Sequence, residues 1–388
     1  MKSLNRNNVY IKTGEGTTNP IKPRICMPTM RSFNQRVFRS ALYESEDVLL
    51  DVDDVELIYL EPGRSYKLKE KIMKKIIWHD FTNKMIYKNI AYKHVRLTKE
   101  YDLFVAYCAD IYDLMYALTI QGWKDYCRTS ICWIDELWAN NVLKYDNWLL
   151  ALNKFDHIFL GLNGTVKVLS NALGRKCHFL PMAVDAICFC PFPQPPARVI
   201  DVFNFGRIWE GIHQSMYNLA AEKRIFYVYD TIHVSDAQTL NYRHHRNLIA
   251  NMAKRSKYVF VAPAKMNIPE VVNGQIEIGA RYYEASASGA VMLGQVPDCE
   301  SFRSLFDWPD VVIPIQPDGS DVLGVLSSLS TQPERLMEIR QRNVLEILLR
   351  HDWVYRWRKV LDIAGIKPAP ALEDREKKLN MMAEQVGC

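Results

Sequence analysis

Arg207, Arg281 and Glu284 are charged side chains set beside glycines, small residues and apolar runs, and each suits one part of an anionic, hydroxyl-bearing ligand. Arg207 follows Gly206 just past the strand expected over Ile200 to Phe205. A guanidinium placed there can give two parallel hydrogen bonds to a phosphate. Arg281 opens the segment Arg281-Tyr282-Tyr283-Glu284-Ala285-Ser286-Ala287-Ser288-Gly289-Ala290, in which small residues dominate. The polar stretch before it, from Asn273 to Gly279, suits a loop. The run Ala290 to Leu293 after it is long enough for a buried strand. Loop, small-residue helix and strand make half of a parallel α/β unit. The free N–H groups of that helix's first turn would face an anion. Glu284 as a carboxylate can accept hydrogen bonds from two neighbouring hydroxyls. Outside such a segment each of these residues would be an ordinary surface charge.

A second set could move protons. His79-Asp80 and Asp135-Glu136 each follow an apolar run. A carboxylate or imidazole at a strand end can take a proton from an attacking hydroxyl. A histidine there is more often structural. Asp230 and His233 lie just beyond Ile225 to Tyr229, where the polar edge of a ligand could be read. The plain alternative is an Asp that caps the next helix.

The elements that must position these groups follow from apolar runs alternating with helical patterns. Strands are expected at Ile21–Met27, Val55–Leu60, Leu103–Cys108, Arg128–Ile134, Phe155–Leu160 and Cys177–Leu180. Helices are expected between them, including Tyr87–Thr98, Ile111–Ile120, Val142–Leu152 and Thr165–Ala172. That alternation means parallel pairing with helices on both faces. Cys188 to Pro196 holds four prolines and makes a stiff connector between two halves. The second half repeats the plan from Val199, ending in helices at Pro333–Leu349 and Trp353–Ile363.

The predicted division is a disordered lead-in over 1–20, a Rossmann-like domain over 21–190 completed by a helix at 352–366, a second Rossmann-like domain over 191–351, and a mobile tail over 367–388. A chain of 388 residues exceeds one ordinary core, which agrees with two domains. The net charge of +5 is mild and permits a phosphate-bearing ligand without requiring one. The first twenty residues are polar and offer no apolar core for a signal peptide. No run reaches the length of a membrane span. The nine cysteines contain no Cys-x-x-Cys pair, so reduced thiols and a cytoplasmic location are expected, and no metal site. Lysines 67, 69, 71, 74 and 75 form a basic patch that reads as a solvated loop, or as a contact with an anionic membrane.

The segment Arg281 to Ala290 resembles the R-[FY]-[FY]-E-A-x-A-x-G-A segment of group 1 glycosyltransferases of the GT-B fold, and looks most like their spore-maturation-protein-like branch. Gly206-Arg207, the Leu-Pro-x-x-Val-Asp segment at 180–185 and the His351 to Arg356 segment also resemble that family. The resemblance implies two Rossmann-like doubly wound parallel-sheet domains with a cleft between them. It implies a metal-independent hexosyltransferase using a UDP or GDP sugar as co-substrate, with no further cofactor, in polysaccharide or glycoconjugate synthesis. Arg207, Asp230, Arg281, Tyr282 and Glu284 would bind the donor. His79 and Asp135 would serve a glycan, lipid-linked or small-molecule acceptor, and no nucleic acid is expected as partner. Two family positions differ here: Ile276 stands where an upstream Glu would face the sugar, and Ile212 where a Lys would follow Gly-Arg. A nucleotide-sugar epimerase of the same fold and a non-catalytic nucleotide-sugar-binding protein are the rival readings. A dinucleotide oxidoreductase is disfavoured, because no Gly-x-Gly-x-x-Gly follows the first strand of either half.

Overall fold

The computed structural model describes residues 23–78, 93–142, 144, 146–231 and 237–386. Two parallel sheets organise them. The N-terminal lobe contains β1 (Ile25–Thr29), β2 (Val55–Tyr59), β3 (Val95–Arg96), β4 (Tyr101–Asp110), β5 (Ile120–Gln121), β6 (Cys127–Glu136), β7 (His157–Leu160) and β8 (His178–Phe179). Six of these form one sheet in the order β2-β1-β4-β6-β7-β8, and β3 pairs separately with β5. The C-terminal lobe contains β9 (Ile200–Asn204), β10 (Tyr227–Tyr229), β11 (Ser256–Val261), β12 (Val291–Gly294) and β13 (Ile313–Pro314), in the order β10-β9-β11-β12-β13.

Burial explains the strand sequences. β1 is buried along its whole length and β12 likewise. Helices cover both faces of such a sheet, so its inner strands read as continuous apolar runs. β2 lies at an edge, is only partly buried, and carries Glu56 among its apolar residues. Ile25 stands between Val55 on one side and Leu103 on the other, which places the reversal of strand order between β1 and β4. The matching reversal in the second sheet falls between β9 and β11. In open α/β sheets ligands bind at the carboxyl ends beside such a reversal.

The lobes are joined at a compact crossover. Val184 pairs with Asp352, and its N–H donates to the His351 carbonyl at 3.2 Å. The Asp352 carboxylate accepts from the Ala186 N–H at 2.9 Å and from Arg375. His351 is buried, its Nε2 lies 2.8 Å from the Leu305 carbonyl, and burial and then Arg356 hold its imidazole well below the ordinary range. This histidine is structural. From there Trp353–Ile363 packs on the first lobe, where Trp357 Nε1 donates to the Ser45 carbonyl at 3.0 Å.

Several local expectations are corrected. The mobile tail expected over 367–388 is instead a helix, Pro370–Val386, with Leu372, Leu379, Ala383 and Val386 buried. These residues recur at helical spacing on one side of a heavily charged segment, so composition hid an amphipathic stripe. The helix expected over Tyr87–Thr98 is not continuous. Its first part lies outside the described residues, and Val95–Arg96 is a strand. The helix expected over Ile111–Ile120 is shorter, a 3-10 turn at Ile111–Asp113 running into an α-helical turn at Leu114–Ala117, before Ile120 enters β5. The lysine patch is not a loop but a helix, Tyr66–Trp78. The lead-in over 1–20 lies outside the described residues. Among the described residues no helix is long and apolar enough to cross a membrane, and every described cysteine is free.

Candidate functional site

β9 ends at Asn204, and the chain turns at Gly206 with φ of +75°, a left-handed conformation in which glycine is the unstrained residue. Asp230, just past β10, fixes this turn. Its carboxylate accepts from the Gly206 N–H at 2.6 Å, and its own N–H donates to the Asn204 carbonyl at 3.1 Å. The turn presents Arg207. Arg281 meets it from the other side of the strand reversal: its Nη1 donates to the Arg207 carbonyl at 3.0 Å and reaches Asn204 Oδ1 at 3.4 Å. Fully buried Asn204 is oriented by the Tyr227 hydroxyl at 3.0 Å, which His213 Nδ1 approaches at 2.9 Å. Arg207, Asp230 and Arg281 are therefore brought together.

Charge at this point is unbalanced. Burial lowers the Arg281 guanidinium from its ordinary range, Tyr282, Glu284 and Asp230 pull it back up, and the like charge of Arg207 lowers it again. Among the described residues neither arginine has a salt-bridge partner within reach. The helix Ala280–Ala287 starts beside them, with Gly279 at its N-cap and no side chain capping it. A Cβ on Gly279 would sit 3.1 Å from the Ala262 carbonyl, so this glycine keeps the helix start close to the end of β11. Two guanidinium groups and a helix start with no side-chain cap are an arrangement that can attract an anion.

Two predicted ligand residues do not join it. Tyr282 is fully buried, donates its hydroxyl to the Gln295 carbonyl at 2.7 Å and packs edge-on against Phe302. It is a core residue, placed inward because a helix lying on a sheet must bury one face. Glu284 is only 5% exposed and forms a buried ion pair with Arg246 of the helix Tyr242–Lys254. Arg246 also donates to Glu44 of the other lobe, at 2.7 and 3.2 Å. The Glu284 carboxylate is thus engaged by a guanidinium rather than open to a ribose. His245, next to Arg246, is half-buried and feels the charges of Arg246, Glu284 and Asp230, with burial as the main cause of its lowered pKa.

Across the cleft, β6 ends at Asp135-Glu136. Burial pushes the Asp135 carboxyl up to about 7, Glu136 adds to the rise, and Lys265 opposes it. A Cβ on Gly161 would lie 2.3 Å from the Asp135 carbonyl and 3.0 Å from Oδ1, so only glycine leaves room for this carboxyl. Glu136 forms an ion pair with Lys265 of the C-terminal lobe and accepts from Trp138 Nε1 at 2.7 Å. Nearby, Glu277 reaches across to the helix Asn163–Leu173 and accepts from the N–H groups of Asn163 at 3.1 Å and Gly164 at 2.7 Å. Gln275 Oε1 accepts from the Ala139 N–H at 2.9 Å. The carboxyl ends of the two sheets therefore face each other, and side chains from the loop after β11 bridge the gap. His79, Asp80 and His233 lie outside the described residues.

Two surface cavities lie away from this rim. One of about 350 Å³ is lined by Glu44, Asp47, Asp185, Tyr242, Arg243 and Arg246, and one of about 570 Å³ by Arg24, Tyr101, Asp125 and Cys127. Arg207, Arg281 and Asp135 line neither. No group of three or more metal-ligating side chains occurs among the described residues.

No family model matches the chain, and no curated protein matches it. Solved structures do. HepE of Anabaena in complex with UDP-glucose aligns over 88% of this chain and 99% of its own, at 10% identity and a TM-score of 0.50. An alpha-glucosyltransferase in complex with UDP and a DNA 13-mer aligns over the same shares, at 11% identity and a TM-score of 0.51. Two parallel-sheet lobes, each with a strand-order reversal, facing each other across their carboxyl ends and similar over nearly their full length to these glycosyltransferases, give the chain the GT-B fold.

Proposed function

We propose that this protein is a glycosyltransferase that moves a hexosyl group from a nucleoside diphosphate sugar to an acceptor hydroxyl, in polysaccharide or glycoconjugate synthesis. One observation carries the proposal: Arg281 is a half-buried cation locked onto the Arg207 turn, beside a helix start with no side-chain cap, and among the described residues it forms no ion pair. Breaking the bond between an anomeric carbon and a diphosphate puts negative charge on the leaving phosphate. Fixed donors aimed at that charge lower the barrier. The two guanidinium groups supply the charge that a bound metal would otherwise give. The solved structures of similar fold hold UDP-glucose or UDP, which agrees with such a donor.

Asp135 is assigned the acceptor proton. A carboxyl titrating at about 7 is both available as a base and strong enough to act at neutral pH. Glu284 would reach a ribose once Arg246 stays with Glu44 alone, and His245 lines the same wall. The acceptor is a glycan, a lipid-linked sugar or a small molecule. Calorimetric titration with UDP, GDP and their sugars tests the proposal, followed by a transfer assay. Binding of one nucleoside diphosphate that drops about ten- to hundredfold in Arg281→Met supports it, since charge-assisted hydrogen bonds contribute about 1.5–3 kcal/mol each. No binding of any of them overturns it, and binding without transfer or hydrolysis leaves a binding protein.

A further inference from the structure

We propose that the helix Tyr66–Trp78 docks this protein on an anionic lipid membrane. The helix leaves the carboxyl end of β2, so it stands at the same edge of the first sheet as the cleft. Its inner side is fixed to the lobe. The Tyr116 hydroxyl donates to Glu70 Oε1 at 2.5 Å, and Phe33 packs edge-on against Tyr66 at 5.8 Å. Its outer side carries Leu68, 61% exposed, and Ile72, 46% exposed. These two are four residues apart and share a face. Lys67 and Lys71 are exposed too, share the adjoining face, and follow exposed Arg64. Neither lysine has an ion-pair partner among the described residues.

At about 100° per residue, Lys67 and Lys71 fall within one strip of the helix, with Leu68 and Ile72 beside it. A single exposed leucine needs no explanation. An apolar pair one turn apart, edged by free cations, is the pattern of a helix that lies in a membrane interface. The cations meet anionic headgroups while Leu68 and Ile72 enter the acyl boundary. A nucleic acid would use the lysines but leave both apolar side chains in water. An anionic membrane is the partner that satisfies both halves of the surface. The helix is already folded and its backbone hydrogen bonds are made, so docking need not order it. This surface stands independently of the transferase reading, because lipid binding and donor binding are measured separately.

Flotation of the full chain with phosphatidylcholine vesicles, with and without phosphatidylserine, tests it. The chain should float with the phosphatidylserine vesicles alone and be released by high salt. Lys67→Gln with Lys71→Gln should weaken binding about 25-fold, from about fivefold per cation. Leu68→Gln with Ile72→Gln should also weaken it at unchanged charge, with the circular dichroism spectrum unaltered. Three outcomes overturn the proposal: no flotation of the unaltered chain; an apolar pair variant that floats like it; or lysine variants that lose binding to duplex DNA while keeping vesicle binding.

Discussion

Arg246 of the C-terminal lobe donates Nε to Glu44 Oε2 of the N-terminal lobe at 2.7 Å, in a buried position. The same guanidinium holds Glu284, so one cation serves two carboxylates. Glu44 accepts further bonds from Trp353 Nε1 at 3.0 Å and from the Asp185 N–H at 2.9 Å. The expected ribose ligand, the lobe contact and the crossover are therefore one network.

Removing Arg246 should destabilise the protein strongly. Arg246→Ala leaves two buried carboxylates unpaired, and breaking a buried pair costs about 3–5 kcal/mol. Glu44→Gln should cost less, because Arg246 keeps Glu284. Urea unfolding of the three proteins at neutral pH gives the order, and equal losses would contradict the shared-cation arrangement.

Arg281→Met should separate stability from binding. Burial and the nearby Arg207 disfavour the Arg281 cation in the folded state, so the unliganded variant should unfold at the same urea concentration or a higher one. Its affinity for the nucleoside diphosphate should fall. Residues kept for ligand binding commonly show this trade. A variant that loses stability as well would place Arg281 among the structural ion pairs instead.

Asp135 should give transfer a pH dependence. If it accepts the proton, kcat/KM rises as pH increases through about 7, where its carboxyl titrates. Asp135→Asn should lose that limb and about 10²- to 10⁴-fold in rate. Removing the opposing cation with Lys265→Met should move the limb to higher pH. Stability runs the other way. From its ordinary 3.8 up to about 7 the folded state keeps a proton that the unfolded chain has released. Folding therefore weakens as pH rises through that window, and Asp135→Asn should flatten the slope of the urea midpoint against pH.

The C-terminal helix should be required for stability. Arg375 donates to Asp185 at 2.7 Å and to Asp352 at 2.8 and 2.9 Å, where the lobes cross. Arg375→Ala should cost about 3–5 kcal/mol by leaving buried Asp352 short of its partner. Ending the chain after Lys367 should cost more, since it also exposes the apolar surface that Leu372, Leu379 and Val386 cover. Thermal and urea melts of both variants measure this, and a truncated chain as stable as the whole one would restore the picture of a mobile tail.

The sequence by itself determined the two-lobe parallel architecture. Strands buried on both faces read as continuous apolar runs, as Ile131 to Ile134 and Val259 to Val261 do. It also determined the Gly206-Arg207 turn and the small-residue helix opened by Arg281, because both depend on neighbours a few residues away. Only the tertiary structure decided what Glu284 does. Its partner lies 38 residues upstream, and that partner's second carboxylate 202 residues further. No local period encodes a distance of that kind. Tyr282 went inward for the same reason: the face a helix buries is set by the sheet beneath it. The tail helix was hidden because its charges outnumber its apolar stripe, and the stripe acquires meaning only against the surface it covers.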